Sequence, residues 1–209
     1  MKYLNSRLSA AMWARVLLLW LALTIAALVL GVVAIGLGQF IQGNIRTELA
    51  SQEISFSAAD QMADAEKQIP GMVENAGQPL TTGNQAKIYS ELMALHVKEA
   101  AEGAGYPDAT YATLGGIQRQ LKADVTKATD AKDQTAIDDA NTKLTAVTNL
   151  RNTMLTASTL RGNLLSAFGW DNVGTGVTAT GGFMILLAVV FFVLFFYEWR
   201  RGHLPATEA

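Results

Sequence analysis

Val16 to Ile45 reads VLLLWLALTIAALVLGVVAIGLGQFIQGNI, a run of 30 residues with no Asp, Glu, Lys, Arg or His. A hydrocarbon layer about 30 Å thick is crossed by roughly 20 apolar residues in an α-helix, so this run is long enough to span one. A second run, Asn172 to Tyr197, has the same property. Everything else is one middle segment and two short tails. The expected fold class is an all-α membrane protein with two transmembrane helices flanking an extracytoplasmic helical domain. In residue ranges this gives a cytoplasmic tail at 1–15, a first span at 16–42, the middle domain at 43–171, a second span at 172–198 and a cytoplasmic tail at 199–209.

Half of the 209 residues are hydrophobic and 16% are charged, which lies between soluble and many-span membrane averages. The middle segment, with many Ala, Thr, Asp and Gln, can bury only a modest core of its own. The absence of cysteine excludes a disulfide framework, cysteine-ligated iron-sulfur clusters and thiol catalysis. Lys2, Arg7, Arg15, Arg200 and Arg201 sit in or beside the tails, against Glu198 and Glu208, while the middle segment holds eleven Lys/Arg against sixteen Asp/Glu. The positive-inside bias then places both tails in the cytoplasm and the middle segment outside. Trp13, Trp20, Tyr197 and Trp199 are read as aromatic anchors at one interface, Phe40 and Trp170 at the other. Although the first span starts like a secretory signal, its apolar run far exceeds the roughly 7–15 residues of a signal h-region. It reads as an uncleaved anchor.

Within the first span, Ala27, Gly31, Ala34 and Gly38 recur at spacings of four, three and four, which puts them on one helix face. The second span carries a related set, Gly174, Thr178 and Gly182. Small faces let helix backbones approach where lipid offers no hydrophobic drive. Two readings follow: the stripes pack on each other as a helical hairpin, or they dock onto another subunit's helices. The apolar runs Val16 to Ile45 and Asn172 to Tyr197 carry no Asp, Glu, Lys, Arg or His for a proton relay, an ion path or haem ligation.

In the middle segment Glu53 to Phe56 reads as a short extended piece, and Ser57 as the cap of a helix over 58–68 that Pro70-Gly71 ends. Thr81-Thr82-Gly83 caps the strongest amphipathic stretch, Asn84 to Glu102, whose apolar face holds Ile88, Leu92 and Leu95. A further helix begins near Thr110 and is expected to break at Gly115-Gly116. Lys122 to Asp139 reads as a solvated hairpin with its tip at Asp130 to Asp133. A last helix from about Gln134 to Trp170 leads into the second span, with Ile137, Ala140, Leu144, Val147, Met154, Leu165 and Phe168 as its apolar series.

Chemistry-bearing residues are sparse. His96 and His203 are the only histidines. Neither belongs to a His-x-x-x-His or Glu-x-x-His pattern that would assemble a metal site. Glu99, three residues after His96, supplies at most a two-ligand fragment, so His96 reads as a packing or hydrogen-bonding residue. Gly174-Thr175-Gly176 lacks the Lys-Ser/Thr ending of a phosphate loop, and no basic stripe offers itself to nucleic acid. No catalytic residue, cofactor, metal or small-molecule substrate is expected.

Several short phrases carry a resemblance: Gln52-Glu53-Ile54-Ser55-Phe56, Leu80 to Ala86 with Tyr89 and His96 following, Thr110-Tyr111-Ala112, and Thr159 to Leu165. In this order they resemble a family of two-span actinobacterial membrane proteins that often carries the label "aromatic ring-opening dioxygenase". Ligands for such an iron site are missing here, so the resemblance implies no dioxygenase chemistry. It implies an accessory role, since a relative is similar to small subunits attached to the cytochrome bcc-aa3 respiratory supercomplex. On that reading Tyr89 and His96 pack the core of the outer domain, and Arg161 with Gly162 braces it at the membrane surface. Lys122 to Asp139 looks like an extension relative to shorter relatives. The expected partners are the lipid bilayer and integral membrane subunits of a larger complex. The alternative is an extracytoplasmic ligand-binding or sensing module acting through a partner protein.

Overall fold

The computed structural model describes residues 10–202. Lys2, Arg7, His203 and Glu208 lie outside the described residues. The elements are α1 (Ala10–Ser51), α2 (Asp64–Lys67), α3 (Gly83–Gly103), α4 (Tyr111–Asp130) and α5 (Gln134–Gly202), with a 3-10 turn at Val73–Asn75. Among the described residues there is no β-strand, and extended pairing is limited to a single antiparallel bridge between Ser55 and Pro79. The chain divides into two compact units. One comprises the residues up to Asn44 and those from Asp171, the other Ile45–Trp170.

The first unit is an antiparallel pair formed by α1 and α5. Its buried positions are Ala27, Gly31 and Gly38 on α1, and Gly174, Gly181 and Ala188 on α5. Spacings of four and seven on one helix, and seven and seven on the other, follow the 3.5-residue period of a left-handed helix pair. Both helices are long and apolar enough to cross a membrane, yet only 11% of the most apolar window of each is buried. A core helix of a water-soluble protein would be mostly buried. Here Leu18, Val32, Phe40, Phe183, Leu186 and Val193 point outward, an apolar surface that water tolerates poorly and lipid accepts. Hydroxyls within these helices return to the carbonyl one turn back, as Thr24 Oγ1 does to Trp20 O at 2.8 Å and Thr180 Oγ1 to Gly176 O at 2.9 Å. Such bonds satisfy polar groups without water.

The second unit has two cores. One gathers Leu49, Phe56, Met62, Met72, Leu80, Ile88, Leu92 and Leu164, and the other Ala101, Leu114, Val147, Leu150 and Met154. Between α1 and α3 the backbone of 52–82 is tied by Leu80 N donating to Ile54 O at 2.8 Å, Phe56 N to Gln78 O at 3.0 Å and Gly77 N to Ser57 O at 3.1 Å. This pairing commits Ser57 to extended backbone, so the helix expected over 58–68 shrinks to α2, which starts after Ala63. Nor does α4 break at Gly115-Gly116. Gly115 instead lies under Arg151, where a Cβ would come within 3.3 Å of the guanidinium. Arg151 in turn stacks 4.1 Å over the Tyr111 ring and donates to Gln118 Oε1 at 3.0 Å. On α5 the apolar series keeps its expected course at Ala140, Val147 and Met154, and departs from it at one position, where Leu164 is 3% exposed and Leu165 40%.

Candidate functional site

Two features bear on function: the seam between the apolar helices, and a carboxylate-imidazole contact at the edge of α3. The seam is organised by two glycine pairs, Gly31 with Gly181 and Gly38 with Gly174, seven residues apart on each helix. A Cβ placed on Gly31 would lie 2.9 Å from Gly181 O, and one on Gly181 would lie 2.7 Å from Gly31 O. For Gly38 the neighbours are Thr178 Oγ1 and, at 2.6 Å, Gly174 O. Real Cβ atoms do not come this close to backbone, so Gly31, Gly38 and Gly181 admit only glycine at this helix separation, while a Cβ on Gly174 would be tight, 3.1 Å from Gly38 O. Thr178 Oγ1 donates to Gly174 O at 2.9 Å, and Gln42 Nε2 reaches across to Thr175 Oγ1 at 2.9 Å. Trp20 and Phe191 bring their rings to 5.9 Å near the opposite end of the pair.

The second feature joins α2 to α3. His96 Nε2 lies 2.7 Å from Glu66 Oε1, while Glu66 Oε2 accepts from Ala63 N at 2.9 Å. Accepting from His96 holds the Glu66 carboxyl below its ordinary value, and partial burial opposes this. An ionised carboxylate only accepts, so Nε2 carries the proton. Tyr89 meets Phe56 edge to face at 5.5 Å. Burial raises the Tyr89 phenol above its usual range, and the nearby Glu66 charge adds to this.

No protein-family model, curated protein or solved structure matches the chain.

The small-residue stripe of α1 therefore lies against α5, with Gly31 and Gly38 at its centre and Ala27 buried; Ala34 is only partly covered. On α5 Gly174 and Thr178 belong to the seam, but Gly182 does not. A Cβ on Gly182 would meet nothing within 4 Å. Gly181 takes its place because a two-helix seam advances by four and then three residues, from 174 to 178 to 181, whereas the expected series took two steps of four. Tyr89 packs against the first core of the second unit. His96 does not enter that core, since its side chain is 44% exposed and it binds Glu66 at the rim. Its partner is Glu66, 30 residues away, rather than Glu99; nothing local in the sequence connects the two. Arg161 and Gly162 are exposed on α5. Among the described residues no three His, Cys, Asp or Glu side chains converge as a metal site would require.

Thr82-Gly83-Asn84-Gln85, inside the Leu80 to Ala86 phrase, has a local physical role. Gln85 N donates to Thr82 Oγ1 at 3.2 Å and Gln85 Oε1 accepts from Thr82 N at 3.1 Å, a reciprocal capping box. The same Oε1 accepts from Thr81 N at 2.9 Å, and Nε2 donates to Asn75 Oδ1 at 3.1 Å. One glutamine thus starts α3 and anchors the irregular segment before it.

Proposed function

We propose that the chain is a two-span protein of the cytoplasmic membrane, both ends inside and the 43–171 domain outside, acting as a non-catalytic accessory subunit of a larger membrane complex. An antiparallel pair puts both helix ends on one side, and the five basic residues in or beside the tails assign that side to the cytoplasm. The observation that carries the accessory role is the set of glycines the pair does not use. A Cβ on Gly36, Gly176 or Gly182 would meet nothing within 4 Å, and each helical glycine costs about 1 kcal/mol relative to alanine. Glycines with no internal use fit a close approach by a helix of another subunit. The resemblance supports a respiratory or other redox assembly as that partner.

The test is purification of tagged full-length chain in a mild detergent, followed by identification of co-purifying subunits. Large redox subunits in fixed ratio are expected, and Gly36→Leu or Gly176→Leu should deplete them while leaving the helix pair intact. A solitary, monodisperse protein would overturn the reading.

A further inference from the structure

Between the last turns of α4 and the first turns of α5, Leu121, Ala128 and Ala140 floor an open groove of about 440 Å³, with Asp124 and Lys127 on one rim and Asp139 and Lys143 on the other. Away from the turn the same helix pair is covered, since the second core takes in Ala101 of α3 and leaves its Leu114 and Val147 fully buried. Helix α3 ends at Gly103. Nearer the turn Val125 and Ile137 are only partly covered, because two helices alone leave part of an apolar stripe open. The rim charges are in register. Gln118 bonds Thr148 at 2.8 Å and Gly115 lies beneath Arg151, and this pairing continued toward the turn brings Lys127 level with Asp139 across the groove. The two do not meet: Asp139 accepts from Lys143 at 2.7 Å, and among the described residues Lys127 forms no ion pair.

We infer that this groove is the contact between two copies of the chain, whose α4–α5 hairpins pack face to face as a four-helix bundle. A two-fold axis along the hairpin sets α4 of one copy against α5 of the other at the same height. Each Lys127 then meets Asp139 of the second copy, and each Asp124 approaches its Lys143. A partner carrying one sign of charge would meet a like charge on either rim, whereas a second copy offers the opposite sign on both. The half-covered Val125 and Ile137 are enclosed by the same contact. Two copies held in one membrane present their hairpins on the same side, as this axis requires, so the inference rests on the membrane reading above.

Purified full-length chains bearing two different tags would be reconstituted together in phosphatidylcholine vesicles, and capture of one tag by the other measured after mild solubilisation. Wild type should capture wild type. Lys127→Asp and Asp139→Lys, both at exposed positions, should each lower self-capture about ten-fold by setting like charges against each other. Mixed together, the two variants should capture one another as wild type does, because each supplies the charge the other lacks. Such recovery also shows that both variants fold. Self-capture that ignores the charge changes would place the contact elsewhere and overturn the groove as its seat, and so would a mixture that fails to recover although both variants keep the helix content of wild type. Wild type that floats with the vesicles at alkaline pH yet captures no second copy would overturn the pairing and leave the membrane reading in place. Failure to float would overturn both.

Discussion

In the paired apolar helices the buried positions are Ala27, Gly31, Gly38, Gly174, Gly181 and Ala188, whereas the second unit buries Met72, Leu80, Leu114, Val147 and Met154. Large apolar side chains face out from the first unit and in from the second. Each arrangement suits a different solvent. Where water drives burial, large side chains gain most by leaving it. Where the surroundings are themselves apolar, that gain vanishes, and association relies on backbones packed close enough for dispersion and weak hydrogen bonds. One chain thus follows two packing rules, changing from one to the other near Ile45 and again near Asp171.

The largest expected effect lies on the water-driven side. Leu80→Ala removes a fully buried side chain from the first core and should cost about 2–5 kcal/mol, read as lost hydrogen-exchange protection in α3. Next comes the small-residue side. Gly38→Leu drives a side chain into Thr178 and the Gly174 carbonyl and should cost about 1–3 kcal/mol in thermal unfolding of the purified chain. Gly36→Leu, two residues away and meeting nothing, should be neutral or stabilising. Equal behaviour of Gly36→Leu and Gly38→Leu would mean that the two units do not follow different rules.

How much of this could be read beforehand depends on the range of the interaction. The two apolar helices, α3 with its Thr82 cap and the hairpin turn after Asp130 all rest on contacts within about five residues, and the sequence displays them. Two steps of four from Gly174 lead to Gly182, while the paired helix alternates four and three and brings Gly181 to the seam. The helix expected over 58–68 shortens to α2 because Ser57, which looks like a cap in the sequence, has its carbonyl engaged by Gly77 N. Likewise Gly115 looks like a break until Arg151, 36 positions later, arrives over it. The partner of His96 is not legible in the sequence, since Glu66 lies 30 residues away on the short helix α2, whose position depends on the 52–82 segment around it.

Smaller effects should come from polar contacts at the edges of the second unit. Thr82→Ala removes the α3 cap and should cost about 1 kcal/mol, while Thr82→Ser should retain most of it; hydrogen exchange in the first turn of α3 reports the difference. Smallest of all is the Glu66-His96 contact, because the imidazole is 44% exposed against a carboxylate side chain 14% exposed. Such a pair contributes at most about 1 kcal/mol. Its pH dependence is nevertheless distinctive. The Glu66 carboxyl is held below its ordinary value of 4.5 in the folded chain, so the folded state favours the ionised form. That contribution is complete above the unfolded value and is lost as the pH falls through the folded one. Urea unfolding of wild type and Glu66→Gln should therefore differ at pH 6 and converge at strongly acidic pH. Curves that stay parallel through the acid range would mean that the Glu66 charge contributes nothing, and that α2 is held to α3 by the core alone.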